Sequence, residues 1–291
     1  MELGKVGIWS GEFRSKQAGD AGDAAAEIEG LGYRALWIPG GAGGDIFGAV
    51  TRVLDATRSI PVATGILNVW MHDAAEVAAE HARISAVHPD RFLLGLGVSH
   101  AMAVEATGRA YERPRSVMEH FLDELDVAKT PVLKEDRVLA ALAPKMLELA
   151  RDRSAGAHPY LTTPEHTGWA RSVLGEGPLL APEQMVVLES DATAARALAR
   201  TSLALYLQLP NYTNNMLRFG YTEADLADGG SDRLIDGHIA WGGIEAIAGR
   251  IREHLDAGAD HVCIQVLTGS RDRYPLAEWR QLAAILPELQ T

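Results

Sequence analysis

Two near-continuous apolar runs, residues 60–70 (IPVATGILNVW) and 91–99 (RFLLGLGVS), are joined by one helix-like segment, residues 73–88. Strands that are apolar on both faces belong in a parallel sheet covered on both sides, and parallel neighbours need a crossover of this kind. Ligands of parallel α/β folds bind at the carboxyl ends of the strands. Gly65, Asn68, Gly97, Ser99 and His100 therefore fall where a site is expected.

The alternation extends in both directions. Residues 3–9 read as strand, 17–31 as a helix ended by Gly32, 34–38 as strand and 46–56 as helix, and Asp73 with Glu76 forms a capping pattern for the helix after the third strand. After the fourth strand, 116–127 reads as helix, 138–142 as strand, 145–151 as helix behind Pro144, 156–161 as strand, 164–173 as helix, 184–188 as strand and 191–207 as helix. Ile244, Ile247, Ile251 and Leu255 recur at helical spacing, Gly258 stops that helix, and 261–267 is the last strand.

Eight strands alternating with helices in 291 residues predict an α/β fold, a closed (β/α)8 TIM barrel forming a single domain over residues 1–291. An open doubly wound sheet is the alternative. Residues 210–237, rich in Asn, Gly and Asp, break the repeat and read as an inserted helical excursion before the last helix and strand, a lid or an interface element.

Charge and composition limit the partners. A net charge of -12 without any Lys/Arg block argues against general nucleic-acid or membrane-surface binding. An anionic cofactor is still allowed, because backbone N–H groups at a helix start can hold a phosphate. The single cysteine, Cys263, rules out an internal disulfide framework. No transmembrane span is expected, and the opening residues lack a basic-then-apolar secretion pattern, so the expected compartment is the cytoplasm. Without H-E-x-x-H or a Cys/His pair at ligand spacing no metal is expected, and neither loop 40–44 nor Gly95 with Gly97 completes G-x-G-x-x-G.

Individual segments carry chemistry in more than one reading. Gly65-Ile66-Leu67-Asn68 is either a packing kink or a platform backing a flat ring. In G-L-G-V-S-H, residues 95–100, the glycines leave the strand end open to a ligand and His100 sits at the rim, where a group titrating near neutrality can give or take a proton. Ser99 in Gly97-Val98-Ser99-His100-Ala101 also approximates a nucleophile elbow, with Asp236, His238, Asp260 and His261 as late partners for a serine hydrolase. An elbow needs a helix immediately after its serine, and residues 102–114 read as loop.

Leu142, Ala143, Pro144, Lys145 and Met146 pass from a strand end into a helix start, a phosphate cradle with a cation beside it, and Thr162 and Thr163 before Pro164 repeat the arrangement. Among the aromatics Trp9, Trp37, Trp70, Tyr212 and Trp241, those at strand or loop ends are the candidates for substrate contact.

The pieces VATGILNVW, RFLLGLGVSHA, LAPEQMVVLE, LPNYTNN and DAGADHVCIQV, in this order, resemble the luciferase-like monooxygenase superfamily in its branch of coenzyme F420-dependent oxidoreductases, over nearly the whole chain. The resemblance implies a (β/α)8 barrel with a flavin or 5-deazaflavin across the strand ends. It implies a non-proline cis peptide at Gly65-Ile66 behind the ring, and ring contacts from Gly65, Ile66, Leu67, Asn68, Gly97, Val98 and Ser99. It further implies His100 as proton donor or acceptor, the cofactor phosphate at Leu142 to Met146 and its tail at Thr162 and Thr163. Trp9, Trp70 and Trp241 would border the substrate. The implied reaction is hydride transfer between C5 of coenzyme F420 and a small organic substrate, in a homodimer, with an FMN-dependent monooxygenase as the alternative. Relatives that carry an Asp-His pair at the end of the second strand differ from this chain, which has Gly40-Gly41 there, so that acid or base is missing.

Overall fold

A computed structural model describes residues 1–15, 19–41, 44–270 and 272–289. The chain runs β1 (Val6–Trp9), α1 (Ala21–Gly30), β2 (Leu36–Ile38), α2 (Ile46–Ala56), β3 (Val62–Thr64), β4 (Leu67–Asn68), α3 (Ala74–Val87), β5 (Phe92–Gly97), α4 (Ala101–Glu105) and α5 (Pro114–Val127). It continues through β6 (Arg137–Leu139), α6 (Pro144–Arg153), β7 (Gly156–Ala157), α7 (Pro164–Leu174), β8 (Leu179–Leu180), β9 (Glu183–Val187), α8 (Ala192–Leu203), α9 (Pro210–Arg218), α10 (Glu223–Leu226) and α11 (Asp232–His238). The last elements are β10 (Ile239–Trp241), α12 (Ile244–Asp256), β11 (Val262–Val266), α13 (Leu276–Leu282) and α14 (Leu286–Leu289).

All strand pairings are parallel, and the ladder runs β9-β11-β1-β2-β3-β5-β6-β7-β8. Its two ends, β8 and β9, are separated by only Ala181 and Pro182, and these are themselves bonded: Ala181 N–H donates to Ala157 O, and Pro182 O accepts from Cys263 N–H. The ring is thereby closed. With β3–β4 and β8–β9 each taken as one interrupted strand, it is the expected eight-stranded barrel among the described residues.

The tip of the third strand departs from regular pairing. Ala63 pairs with Leu93 and Leu67 with Leu96, so four steps along one strand face three along its neighbour, which is a one-residue bulge. The Gly65-Ile66 peptide within it is cis.

Helix starts follow local chemistry. Asp20, Asp45, Asp73 and Asp191 accept hydrogen bonds from first-turn N–H groups of α1, α2, α3 and α8, and Pro occupies the first turn of α5, α6, α7 and α9. Gly32 and Gly258 take φ of 95° and 102° after α1 and α12, the left-handed backbone expected at both stops.

The strand expected at 184–188 begins at Leu179, and Ile239–Trp241 adds a strand that the sequence reading did not contain. Three residues between a histidine and two glycines are too few to show alternation. β10 pairs with β9 on the side that β7 covers lower down, so it widens the wall at the mouth. Residues 210–238 fold as α9, α10 and α11 with a short 3-10 turn before α11. Among the described residues, no helix is long and apolar enough to cross a membrane.

The main core lies between the strands and the surrounding helices, while the barrel interior holds a smaller cluster around Trp37, Ala63, Leu93, Val138 and Cys263. That inner layer plugs the lower barrel and leaves the carboxyl ends of the strands open.

Candidate active site

A cavity of about 1580 Å³ occupies the carboxyl end of the barrel. Its floor and walls come from Trp9 of β1, Gly65, Ile66 and Asn68 of the bulged strand, residues 97–100 at the end of β5, residues 140–143 after β6, and His158 and Tyr160 after β7. α9 closes one side with Asn211, Tyr212, Asn215 and Arg218.

The bulge is held from several directions. Trp9 Nε1 donates to Gly65 O at 3.0 Å, Gly65 N–H donates to Ile38 O and Gly40 N–H to Ile66 O. Thr64 Oγ1 donates to Gly95 O and accepts from Gly95 N–H, both at 2.8 Å. A Cβ on Gly95 would lie 1.8 Å from Thr64 O, and one on Gly97 would lie 2.5 Å from the Ile66 side chain. The two glycines thus make room for the neighbouring strand's bulge. This corrects the expectation that both clear a path for a ligand: Gly95 is covered, and only Gly97 reaches the cavity wall. Gly40 has the same origin, since a Cβ there would meet Ile66 O at 2.5 Å.

His100 precedes α4 and is partly buried on the cavity wall. Burial lowers its pKa and a hydrogen bond with the Asn211 side chain raises it, with burial the larger effect. Its Nδ1 is buried and has no hydrogen-bond partner among the described residues. Tyr212 lies against the ring, with centroids 5.3 Å apart. Burial raises the Tyr212 pKa well above the ordinary phenol value, so its O–H stays protonated.

Beneath them lies a polar layer absent from the sequence reading. His158 is fully enclosed and stacks on Trp37 with centroids 4.2 Å apart and 14° between planes, and burial pushes its pKa down to about 4. Tyr160 O–H donates to Gln265 Oε1 at 2.9 Å and its oxygen lies 2.9 Å from that of Tyr206. Glu183, wholly buried, accepts from Leu161 N–H, and desolvation raises its pKa to about 8, so it is largely a neutral acid at pH 7.

Polar groups gather at the end of the cavity near residues 140–143. α6 starts without a side-chain cap. His166 of α7 shares its Nε2 with Leu142 O at 3.1 Å and leaves a buried Nδ1 unpartnered among the described residues, as does the buried Thr162 hydroxyl. Thr163 is already committed to capping α7 through His166 N–H. Arg218 adds positive charge near His166, with its guanidinium over Trp169 at 5.7 Å.

Residues 6–130 match the family model for luciferase-like monooxygenases. The match spans less than half of the chain. Similar solved structures include an F420-dependent secondary alcohol dehydrogenase in complex with an F420-acetone adduct, 14% identical, with all of both chains covered and a TM-score of 0.72. The coenzyme F420-dependent tetrahydromethanopterin reductase of Methanopyrus kandleri is 16% identical, with 99% of this chain and 100% of that one covered and a TM-score of 0.72. The oxygenating constituent of 3,6-diketocamphane monooxygenase from Pseudomonas putida, in complex with FMN, is 13% identical, with 99% and 98% covered and a TM-score of 0.71. No curated protein matches by sequence at a significant level.

Of the residues singled out in the sequence, the barrel brings Trp9, Gly65, Ile66, Asn68, Gly97, Val98, Ser99, His100, Leu142, Ala143 and Met146 onto the cavity wall. Leu67 is buried in the core, Pro144 opens α6, and Thr162 and Thr163 stand behind the wall. Lys145 is exposed and off the cavity. Trp70 donates from Nε1 to Val98 O at 2.9 Å and packs on Tyr111, which itself lines the cavity. Trp241 points elsewhere, donating to Asp236 at 2.8 Å with the Arg196 guanidinium over its ring.

Ser99 has φ of 56° and a five-residue helix follows at Ala101, so the loop expected over 102–114 begins later than the sequence reading placed it. Its four candidate partners are all committed elsewhere: Asp236 to Arg196 and Trp241, His238 to Leu234 O, Asp260 to Arg171, and His261 to Trp37 and Gly4 O. The arrangement needed for serine hydrolysis is not assembled from them.

His158, Tyr160, Tyr206, Asn211 and Arg218 were missed. Asn211 lies in the LPNYTNN piece without being singled out, the others are lone polar or aromatic residues outside any quoted piece, and the barrel's closure or the fold-back of α9 puts each at the cavity.

Proposed function

We propose that this luciferase-like barrel is a coenzyme F420-dependent oxidoreductase that transfers a hydride between the deazaflavin C5 and a small organic substrate. The observation that carries the reading is a deep, partly apolar cavity at the strand ends with the partly buried His100 imidazole on its wall and Nδ1 unpartnered among the described residues. A group of this kind manages a proton beside a reacting ring.

The residues present fit such a cofactor. The buried, unpartnered Nε2 of His158 at the cavity is a polar atom in want of a ligand, and the bulged strand offers a wall that Gly97 leaves low. Bound there, the deazaflavin would supply hydride chemistry at C5. The turn at Leu142, Ala143 and Met146, with Arg218, would hold the phosphate. Gly65, Ile66, Asn68, Val98 and Ser99 would border the ring. Trp9 would bound the substrate side, and α9 would exclude water. His100 would give or take the proton that accompanies hydride transfer.

FMN-dependent monooxygenation is the second reading, favoured by the FMN-bound relative of the same fold. Equilibrium titration with coenzyme F420 and with FMN separates the two. Submicromolar F420 binding with weak FMN binding is expected, and tight FMN binding with no affinity for F420 would reverse the assignment.

A further inference from the structure

The inner barrel contains a chain of rings whose protonation states are set by their partners. His261 Nδ1 lies 2.8 Å from Gly4 O, and its Nε2 accepts the Trp37 indole N–H at 3.1 Å. Trp37 in turn stacks on His158. His158 Nδ1 lies 2.7 Å from Ala181 O. A carbonyl oxygen only accepts, so in both histidines Nδ1 carries the proton and Nε2 is a lone pair.

The lone pair of His261 is used by Trp37. That of His158 is buried beside Gly65 and has no partner among the described residues, and both residues line the cavity. Its low pKa keeps the ring neutral near pH 7. Gly65 keeps the approach open, since a Cβ there would stand 3.2 Å from His158 Nε2. The nearby Trp9 N–H cannot serve it, being bonded to Gly65 O. A carbonyl or phosphate oxygen brought to this nitrogen would set lone pair against lone pair, whereas an N–H would be welcomed.

We infer that His158 Nε2 accepts a hydrogen bond from the imide N–H at the pyrimidine edge of the ring held in the cavity, an inference that rests on the deazaflavin reading. The imide N–H is the donor that flavins and deazaflavins share, flanked by two carbonyls that this nitrogen would reject. His158 is thus a binding residue that sets which edge of the ring goes deepest.

The test uses four probes on the intact protein: coenzyme F420, FMN and the N3-methylated form of each. Wild type is expected to prefer the parent ring over its methylated form by about tenfold or more, the scale of one buried hydrogen bond. His158→Phe, which keeps a ring on Trp37, is expected to bind the parent about tenfold more weakly and to lose the discrimination. Equal wild-type affinity for parent and methylated rings overturns the proposal without any variant, and so does a folded His158→Phe protein that binds or discriminates like wild type. Failure of the deazaflavin reading looks different. A preference for FMN changes the cofactor and leaves His158 tested on FMN, and binding of neither ring by wild type removes both claims.

Discussion

The imidazole of His100, just beyond β5, and the phenol of Tyr212, in the first turn of α9, pack together at the cavity wall with ring centroids 5.3 Å apart and planes inclined by 51°. This contact joins a strand tip to a helix more than a hundred residues away and removes water from the imidazole. His100→Ala is expected to lower turnover by about 100-fold or more while cofactor affinity stays within a few-fold. Because burial lowers the His100 pKa, its limb in the kcat profile should lie below the ordinary imidazole range and vanish in the variant. A limb falling towards acid marks His100 as base, and one falling towards alkali marks it as acid. Unchanged turnover would strip it of either role.

Arg218, with Arg14 and Arg52, lines the cavity, and Lys145 does not. Arg218→Ala is expected to weaken cofactor binding about tenfold or more with little change in maximal rate, the signature of lost phosphate contact. Lys145→Ala should change affinity less than twofold. Direct titration of both variants decides, and the reverse order would move the phosphate site.

Gly95→Ala puts a methyl group into the space of the Thr64 carbonyl, 1.8 Å away, where only backbone displacement can relieve it. A loss of about 2 kcal/mol or more in denaturant unfolding is expected, within the range of overpacked cores. Because Gly95 lies behind the wall, most of the effect should appear in stability. A variant as stable as wild type would mean that the bulge is not seated as described.

Glu183 is buried with its pKa raised to about 8, so folding takes up a proton that the unfolded chain has released. Stability should therefore fall as pH rises from about 4.5 through about 8, and then level off. Glu183→Gln, which retains an acceptor for Leu161 N–H, should remove most of that decline. Unfolding midpoints across this pH range measure it, and parallel curves for the two proteins would count against a neutral Glu183.

Much of the architecture was legible. Helix 46–56 lies where the sequence reading placed it, and the caps at Asp73, Gly32 and Gly258 were readable because they depend on neighbours in the chain. The interruption at Gly65-Ile66 was readable from resemblance, while its physical support was not: the contacts of Thr64 with Gly95 and of Ile66 with Gly97 span about thirty residues. Lys145 and Trp241 were misplaced for related reasons. A helix start shows that N–H groups face a strand end, but the direction of one long side chain depends on what packs beside it, and the ring of Trp241 was claimed by Asp236 and Arg196.

By itself the sequence determined most of the order of strands and helices, the caps at Asp73, Gly32 and Gly258, and the runs at the ends of β3 and β5 that line the cavity, because periodicity and capping act over a few residues. Only the tertiary structure decided that β8 and β9 close the ring, that α9 brings Tyr212 and Arg218 over its mouth, and that His158 at the cavity keeps a buried lone pair unshared among the described residues. These depend on contacts between residues far apart in the chain, and whether a buried polar atom is satisfied can be known only when all its neighbours are in place.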